Sequence, residues 1–115
     1  MCRVCSASCI FARSGGLSEA VAQALKEHNI PAETFTANPI ICNGLAECDK
    51  ALRLHQLGKL TNNFIEGMCC PGGCIGGPAC INHSPKDAGE VTKYGKTAIE
   101  QTIKSSISVL DGFAE

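Results

Sequence analysis

Phe64-Ile65-Glu66-Gly67-Met68 runs without a break into Cys69-Cys70-Pro71-Gly72-Gly73-Cys74-Ile75-Gly76-Gly77-Pro78-Ala79-Cys80, and this junction sets the reading of the rest of the chain. The first part, from Asn63 to Met68, is short and apolar at Phe64, Ile65 and Met68, as a buried strand would be. The second part holds four of the chain's nine cysteines, with four glycines and two prolines. Glycine loosens the backbone and proline removes a donor, so this part is a loop and not a helix or a central strand. It brings sulfur atoms close together and leaves bare backbone around them. Thiolates with small neighbours suit an iron-sulfur cluster, with amide N–H groups such as those of Gly72 and Gly73 turned toward its bridging sulfides. A disulfide staple is the rival use of the same residues.

Composition bears on that choice. The 115 residues make one domain, 1–115, able to bury roughly 65% of its unfolded surface. An apolar content of 44% with 18% charged residues is that of a globular chain. No apolar run approaches the roughly 20 residues of a membrane helix. Met1-Cys2-Arg3-Val4-Cys5 lacks the apolar core of a secretory signal, so the expected location is cytoplasmic. Disulfides are rare there, and an odd number of cysteines fits a closed disulfide framework poorly. A net charge of −1 without a basic run gives no footprint for nucleic acid.

Outward from the junction, strand and helix patterns alternate. Ile10-Phe11-Ala12 reads as a first strand, and Ser14-Gly15-Gly16 turns into a helix from about Leu17 to His28. Its buried face would be Leu17, Ala20, Val21, Ala24 and Leu25, with Asn29 and Pro31 ending it. Glu33 to Cys42 is rich in β-favouring residues, with Pro39 splitting it or confining it to an edge. Leu45 to Leu57 is a second helix with Leu45, Cys48, Leu52 and His55 inward and Gly58 as its stop. Asp87-Ala88-Gly89-Glu90 has the spacing of a capping box. It would open one long helix to about Leu110, buried along Val91, Tyr94, Ala98, Thr102, Ile103, Ile107 and Leu110. The pattern predicts an α/β fold: a small, mostly parallel sheet of three to four strands flanked by helices, with the Cys/Gly-rich loop after the last strand. Sites in such sheets lie beyond the carboxyl ends of the strands, where this loop begins.

The run from Phe64 to Pro78 closely resembles the C-terminal cysteine motif of iron-only (FeFe) hydrogenases, M-x-C-x-x-G-C-x-x-G-G. Met68, Cys70, Gly73, Cys74 and Gly77 match it, and Gly76 stands one residue early for its first glycine. Phe11 to Gly16, Asn43-Gly44-Leu45, and Lys86-Asp87 through Lys96 also look like the monomeric hydrogenase-like branch, so the resemblance covers roughly residues 10 to 105. It implies that Cys70 ligates the 4Fe-4S cubane of the catalytic H-cluster. Cys74 would bridge that cubane to a two-iron subsite, and Met68 would pack beside it. The family's further ligands come from upstream T-S-C-C-P and P-C motifs, and neither is present here. The chain therefore resembles the C-terminal lobe of the catalytic domain, and it is expected to be inactive alone. An upstream hydrogenase fragment or an electron-transfer protein such as a ferredoxin would be its partner.

Cys69 stands where the family has a small residue, and Cys80 is an extra thiol. Cys2, Cys5 and Cys9, spaced C-x2-C-x3-C, either supply missing ligands or form a thiol-bearing terminus; the ferredoxin spacing is different. A stand-alone iron-sulfur or thiol-redox binding protein using them with the loop is the second reading. Cys42 and Cys48 read as small core residues and His83 as a turn residue. Arg13-Ser14-Gly15-Gly16 has the look of a weak anion cradle at a helix start.

Overall fold

A computed structural model describes residues 5–111. Its elements are α1 (Ser6–Cys9), α2 (Gly16–Glu27), β1 (Pro39–Asn43), α3 (Leu45–Gln56), β2 (Phe64–Met68), a 3-10 turn at Cys74–Gly76, α4 (Asp87–Gly95) and α5 (Ile103–Asp111). The class is α/β, and β1 and β2 run parallel with Pro39 opposite Phe64 and Asn43 opposite Met68. The expectation of three to four strands is corrected: among the described residues the sheet has two.

Both missing strands have visible causes. Ile10-Phe11-Ala12 follows the single turn of α1 and stays coiled, with Phe11 N–H on Ser8 O and Arg13 N–H on Ile10 O. Gly16 forces this path, since a Cβ there would lie 2.0 Å from Ile10 O. Between Glu33 and Thr36, Pro31 O accepts from both Thr34 and Phe35 N–H, which ties the segment into a turn. Pro39 is the first residue of β1, the strand position where a missing donor costs least.

The helices close as the sequence signals. Asn29 takes a φ of 52°, and Ile30 N–H reaches back to Leu25 O at 3.1 Å. Gly58, at φ 65°, lets Lys59 N–H reach Leu54 O at 2.9 Å. Both are left-handed C-terminal closures that satisfy otherwise orphaned carbonyls.

The single long final helix is corrected to two. Gly95 lies so close to α1 that a Cβ would meet Ile10 Cγ2 at 2.8 Å, and the chain turns there, with Thr97 Oγ1 on Tyr94 O. The predicted capping box does not form. The Asp87 carboxylate instead accepts from Ser84 N–H and Asn82 Nδ2, which fixes the turn leading into α4. Ala98 is buried, whereas Tyr94 and Ile107 are exposed.

Helix α5 begins on a carboxylate from another helix. Glu27 accepts from Ile103 N–H at 3.0 Å and Lys104 N–H at 2.9 Å, two of the four donors that a helix start leaves unpaired. The Lys104 bond, with help from Gln23, holds the Glu27 carboxyl below its ordinary value of 4.5. A lowered carboxylate stabilises the fold above its unfolded value, and that contribution fades as pH falls through the folded value. The protection factors of the Ile103 and Lys104 amides, taken relative to intrinsic exchange at each pH, are therefore expected to fall below pH 4.5. Glu27→Gln should show that reduced protection already at neutral pH; undiminished protection in the variant would contradict the cap.

The buried apolar set is small. Cys5, Ala7 and Ala20 form the cluster between α1 and α2, with Ile103 packed on it. On α3 the inward residue is Ala51 with Cys48 and Leu54 half-buried, not the expected Leu45, Leu52 and His55, which are exposed. Leu45 and Leu52, which share one face of α3, keep 69% and 55% of their surface open, and Leu57 just past its end keeps 66%. The radius of gyration, 16.1 Å, exceeds the roughly 13 Å of a compact chain this long. No helix is long and apolar enough to cross a membrane among the described residues.

Candidate metal centre at the cysteine loop

Three turns meet at the carboxyl end of the two strands. They are Ala12 to Gly15 before α2, Asn43-Gly44 between β1 and α3, and the cysteine loop after β2. Their backbones interlock: Ser14 N–H donates to Gly72 O at 3.0 Å, Ile75 N–H to Ala12 O at 3.1 Å, and Gly44 N–H to Met68 O at 2.7 Å. Asn43 Oδ1 accepts from Gly72 N–H at 3.0 Å and is also hydrogen-bonded to Ser14 Oγ. One amide side chain thus joins all three turns.

Glycine is required at two places in this joint. A Cβ on Gly73, whose φ is 95°, would lie 2.7 Å from Ala12 O and 2.8 Å from Ser14 N. One on Gly76 would lie 1.9 Å from Pro71 O. The loop is therefore packed backbone against backbone, closer than any other residue allows. Its amides are largely committed within the chain, Gly73 N–H to Cys70 O, Gly76 N–H to Gly73 O and Gly77 N–H to Cys74 O, each at 3.0 Å. Gly72 and Gly73, read in the sequence as lending amides to a cluster, donate to Asn43 and Cys70 and contribute shape.

The Cys70 thiol is hydrogen-bonded with Cys69 and has Cys74 and Cys80 within electrostatic reach. Its Sγ would be 3.4 Å from a Cβ at Gly77, and its proton is influenced by Cys69, Cys74 and Cys80. Burial first, then the neighbouring Cys69 thiol, push the Cys70 thiol up from its ordinary value of 9.0. Cys80 Sγ donates to Cys74 O at 3.1 Å, which folds the end of the loop back over its start. Cys69 and Cys74 are exposed, Cys70 and Cys80 half-buried. All four are free thiols, and Met68, half-buried, ends β2 directly before them.

The N-terminal cysteines lie elsewhere. Cys5 is only 1% exposed, hydrogen-bonded with Ser8 Oγ and packed in the α1–α2 cluster. Cys9 faces Gly95, whose Cβ would lie 3.7 Å from its own. Cys2 falls outside the described residues. Cys42 is 2% exposed and hydrogen-bonds Cys48, and burial raises its thiol. His83 is exposed beside the loop. Among the described residues no three side chains of His, Cys, Asp or Glu converge on a point where a metal ion would sit.

The residue that sequence reading missed is Glu66. It is 1% exposed, and its carboxylate crosses from β2 to the start of α2. There Gly15 N–H donates to Oε1 at 2.8 Å, Ser18 N–H donates to Oε2 at 2.9 Å, and Ser18 Oγ is hydrogen-bonded to Oε2. The anion at the Arg13-Ser14-Gly15-Gly16 turn is thus the chain's own. An acidic residue amid an apolar strand, four positions before Cys70, was the available signal.

The donor set, thiols gathered about Cys70 on a glycine-shaped loop, fits a thiophilic iron-sulfur group as part of its ligand shell. A family model for the C-terminal domain of the iron only hydrogenase large subunit matches residues 2–78. The matched span contains α1 to β2 and the loop through Pro78; Cys80, α4 and α5 follow it. Comparison with curated proteins gives no match.

Proposed function

The chain belongs to the family defined by the C-terminal domain of the iron only hydrogenase large subunit, and from that premise we propose that it supplies Cys70 and Cys74 to an iron-sulfur centre of the H-cluster type, completed by thiolates from another segment or chain. The observation that carries the reading is the gathering of thiols around Cys70 on a loop that three interlocked turns hold beyond the strand ends. When bound, a 4Fe-4S group would exchange single electrons at this place, next to a two-iron subsite in the complete centre.

The residues of this chain have definable parts in that arrangement. Cys70 and Cys74 would present thiolates from opposite ends of the Pro71-Gly72-Gly73 turn. Gly77 leaves the space beside Cys70 Sγ free of a side chain. Met68 would cover the strand side of the centre. Because the Cys70 thiol is raised, it would ionise only as a cation arrives, so loading would release protons and favour neutral to alkaline pH. A cubane takes four protein thiolates, so two must come from elsewhere. The open Leu45 and Leu52 on one face of α3 and the two-stranded sheet support a chain that is covered by a further segment or partner.

The test is anaerobic reconstitution with iron and sulfide, with and without an upstream hydrogenase fragment that carries the missing thiolates, followed by a dihydrogen assay after maturation. No dihydrogen turnover is expected from the chain alone. Turnover by the chain alone would overturn the reading.

A further inference from the structure

Beside the cysteine loop, and lined by none of its thiols, lies an open groove of about 730 Å³. One wall is a face of α4, where Ala88, Gly89, Thr92, Lys93 and Lys96 recur at helical spacing. The other is the joint of the three turns, presenting Arg13, Ser14, Asn43 and Gly72.

Its charge is one-sided. Three cations line it and no carboxylate does, in a chain whose net charge is −1. Two acids lie close by. Glu19 pairs with Arg13 Nη2 at 2.7 Å and offsets part of that cation's charge, which leaves Lys93 and Lys96 as the lining cations without an ion pair among the described residues, and Asp87 is turned to Ser84 N–H and Asn82. Arg13 is fixed in place, its side chain only 13% exposed, donating from Nε to Thr92 Oγ1 at 2.8 Å and from Nη1 to Ser14 O at 3.1 Å. Three of its five N–H donors are so used among the described residues, which leaves two for a ligand. Lys93 also suits the last turn of α4, where a cation complements the helix dipole. That placement accounts for Lys93 alone. It accounts neither for Arg13, brought in from the opposite wall, nor for the open space above Gly89, where an added Cβ would meet nothing within 4 Å.

We propose that this groove binds a small oxyanion bearing two or more phosphoryl or carboxylate groups, held by the Arg13 guanidinium and the Lys93 and Lys96 ammonium groups. The volume lies within the range of small-molecule sites. Arg13 supplies the planar fork that recognises such oxygens, and the two lysines supply mobile point charges. The start of α2 takes no part, because Glu66 already occupies its Gly15 and Ser18 N–H donors.

The experiment is calorimetric titration of the full chain at low ionic strength with two probes, inorganic pyrophosphate and tricarballylate, which separate a phosphoryl from a carboxylate preference. Saturable one-to-one binding of at least one probe is expected. Lys93→Ala with Lys96→Ala, both exposed positions, should weaken it about tenfold or more. Gly89→Leu keeps every charge, suits the helix and fills the groove, so it should weaken binding as well. Absence of saturable binding by both probes overturns the proposal, and so does parent-like affinity in either variant. Unchanged affinity in Gly89→Leu alone would identify diffuse surface charge instead of a site, and binding of an acidic peptide but neither probe would identify a docking surface. The titration needs no iron, so its failure leaves the cluster reading standing.

Discussion

Glu66→Ala is expected to destabilise the chain by about 3 to 5 kcal/mol. The carboxylate is 1% exposed and serves two buried backbone donors and a hydroxyl at the start of α2. Truncation removes the acceptors and leaves Gly15 N–H, Ser18 N–H and Ser18 Oγ facing a cavity too small and too enclosed to hydrate them well. Most of the loss is this abandonment of buried donors, not the intrinsic strength of the bonds. Among the described residues no buried side-chain oxygen or nitrogen lacks a partner. Glu66→Gln keeps the size and one acceptor oxygen but turns an N–H2 group toward donors, and it should fall between the parent and Ala. Urea unfolding followed by circular dichroism measures both. A loss below about 1 kcal/mol in the Ala variant would show that β2 is not tied to α2 through this carboxylate.

Cys70→Ser with Cys74→Ser is the second large effect, and it acts on iron instead of stability. The double variant should lose nearly all the iron that the parent takes up with its completing partner, since serine is a poor ligand for a cluster built on thiolates. Cys74 is exposed and Cys70 half-buried, so the fold should change by about 1 kcal/mol or less. Cys42→Ser is the useful contrast. Its thiol is 2% exposed and hydrogen-bonded with Cys48, so it should cost stability and leave iron uptake intact. Undiminished iron in the double variant would remove these two residues from the site.

The pattern of β2 followed by a Cys/Gly loop was legible because both signals are local: an apolar run, then residues that no regular element tolerates. Helix ends at Asn29 and Gly58 were legible for the same reason, being settled within one turn of chain. Ile10-Phe11-Ala12 was not, because its coil is imposed by Gly16 pressing on Ile10 O. The break at Gly95 was hidden likewise, since the pressure comes from α1, some 85 residues earlier in the chain. On α3 the period was read correctly but the inward face was misplaced toward the large Leu45 and Leu52. The structure seats small Ala51 there and leaves the leucines open. The thiols of the site were legible one by one. Their support was not: Asn43 joining three turns, Glu66 anchoring β2 and Arg13 facing α4 are all long-range pairings of ordinary polar residues.

The iron stoichiometry of the anaerobically reconstituted chain tests the central claim most directly. Iron is counted in the chain alone and in its mixture with the upstream fragment, with electron paramagnetic resonance of each reduced sample. The account predicts about four irons per pair and a reduced-cubane signal in the mixture, with no stable iron in the folded chain alone. About four irons and the same signal in the chain alone would contradict it, because this chain would then hold a complete set of ligands.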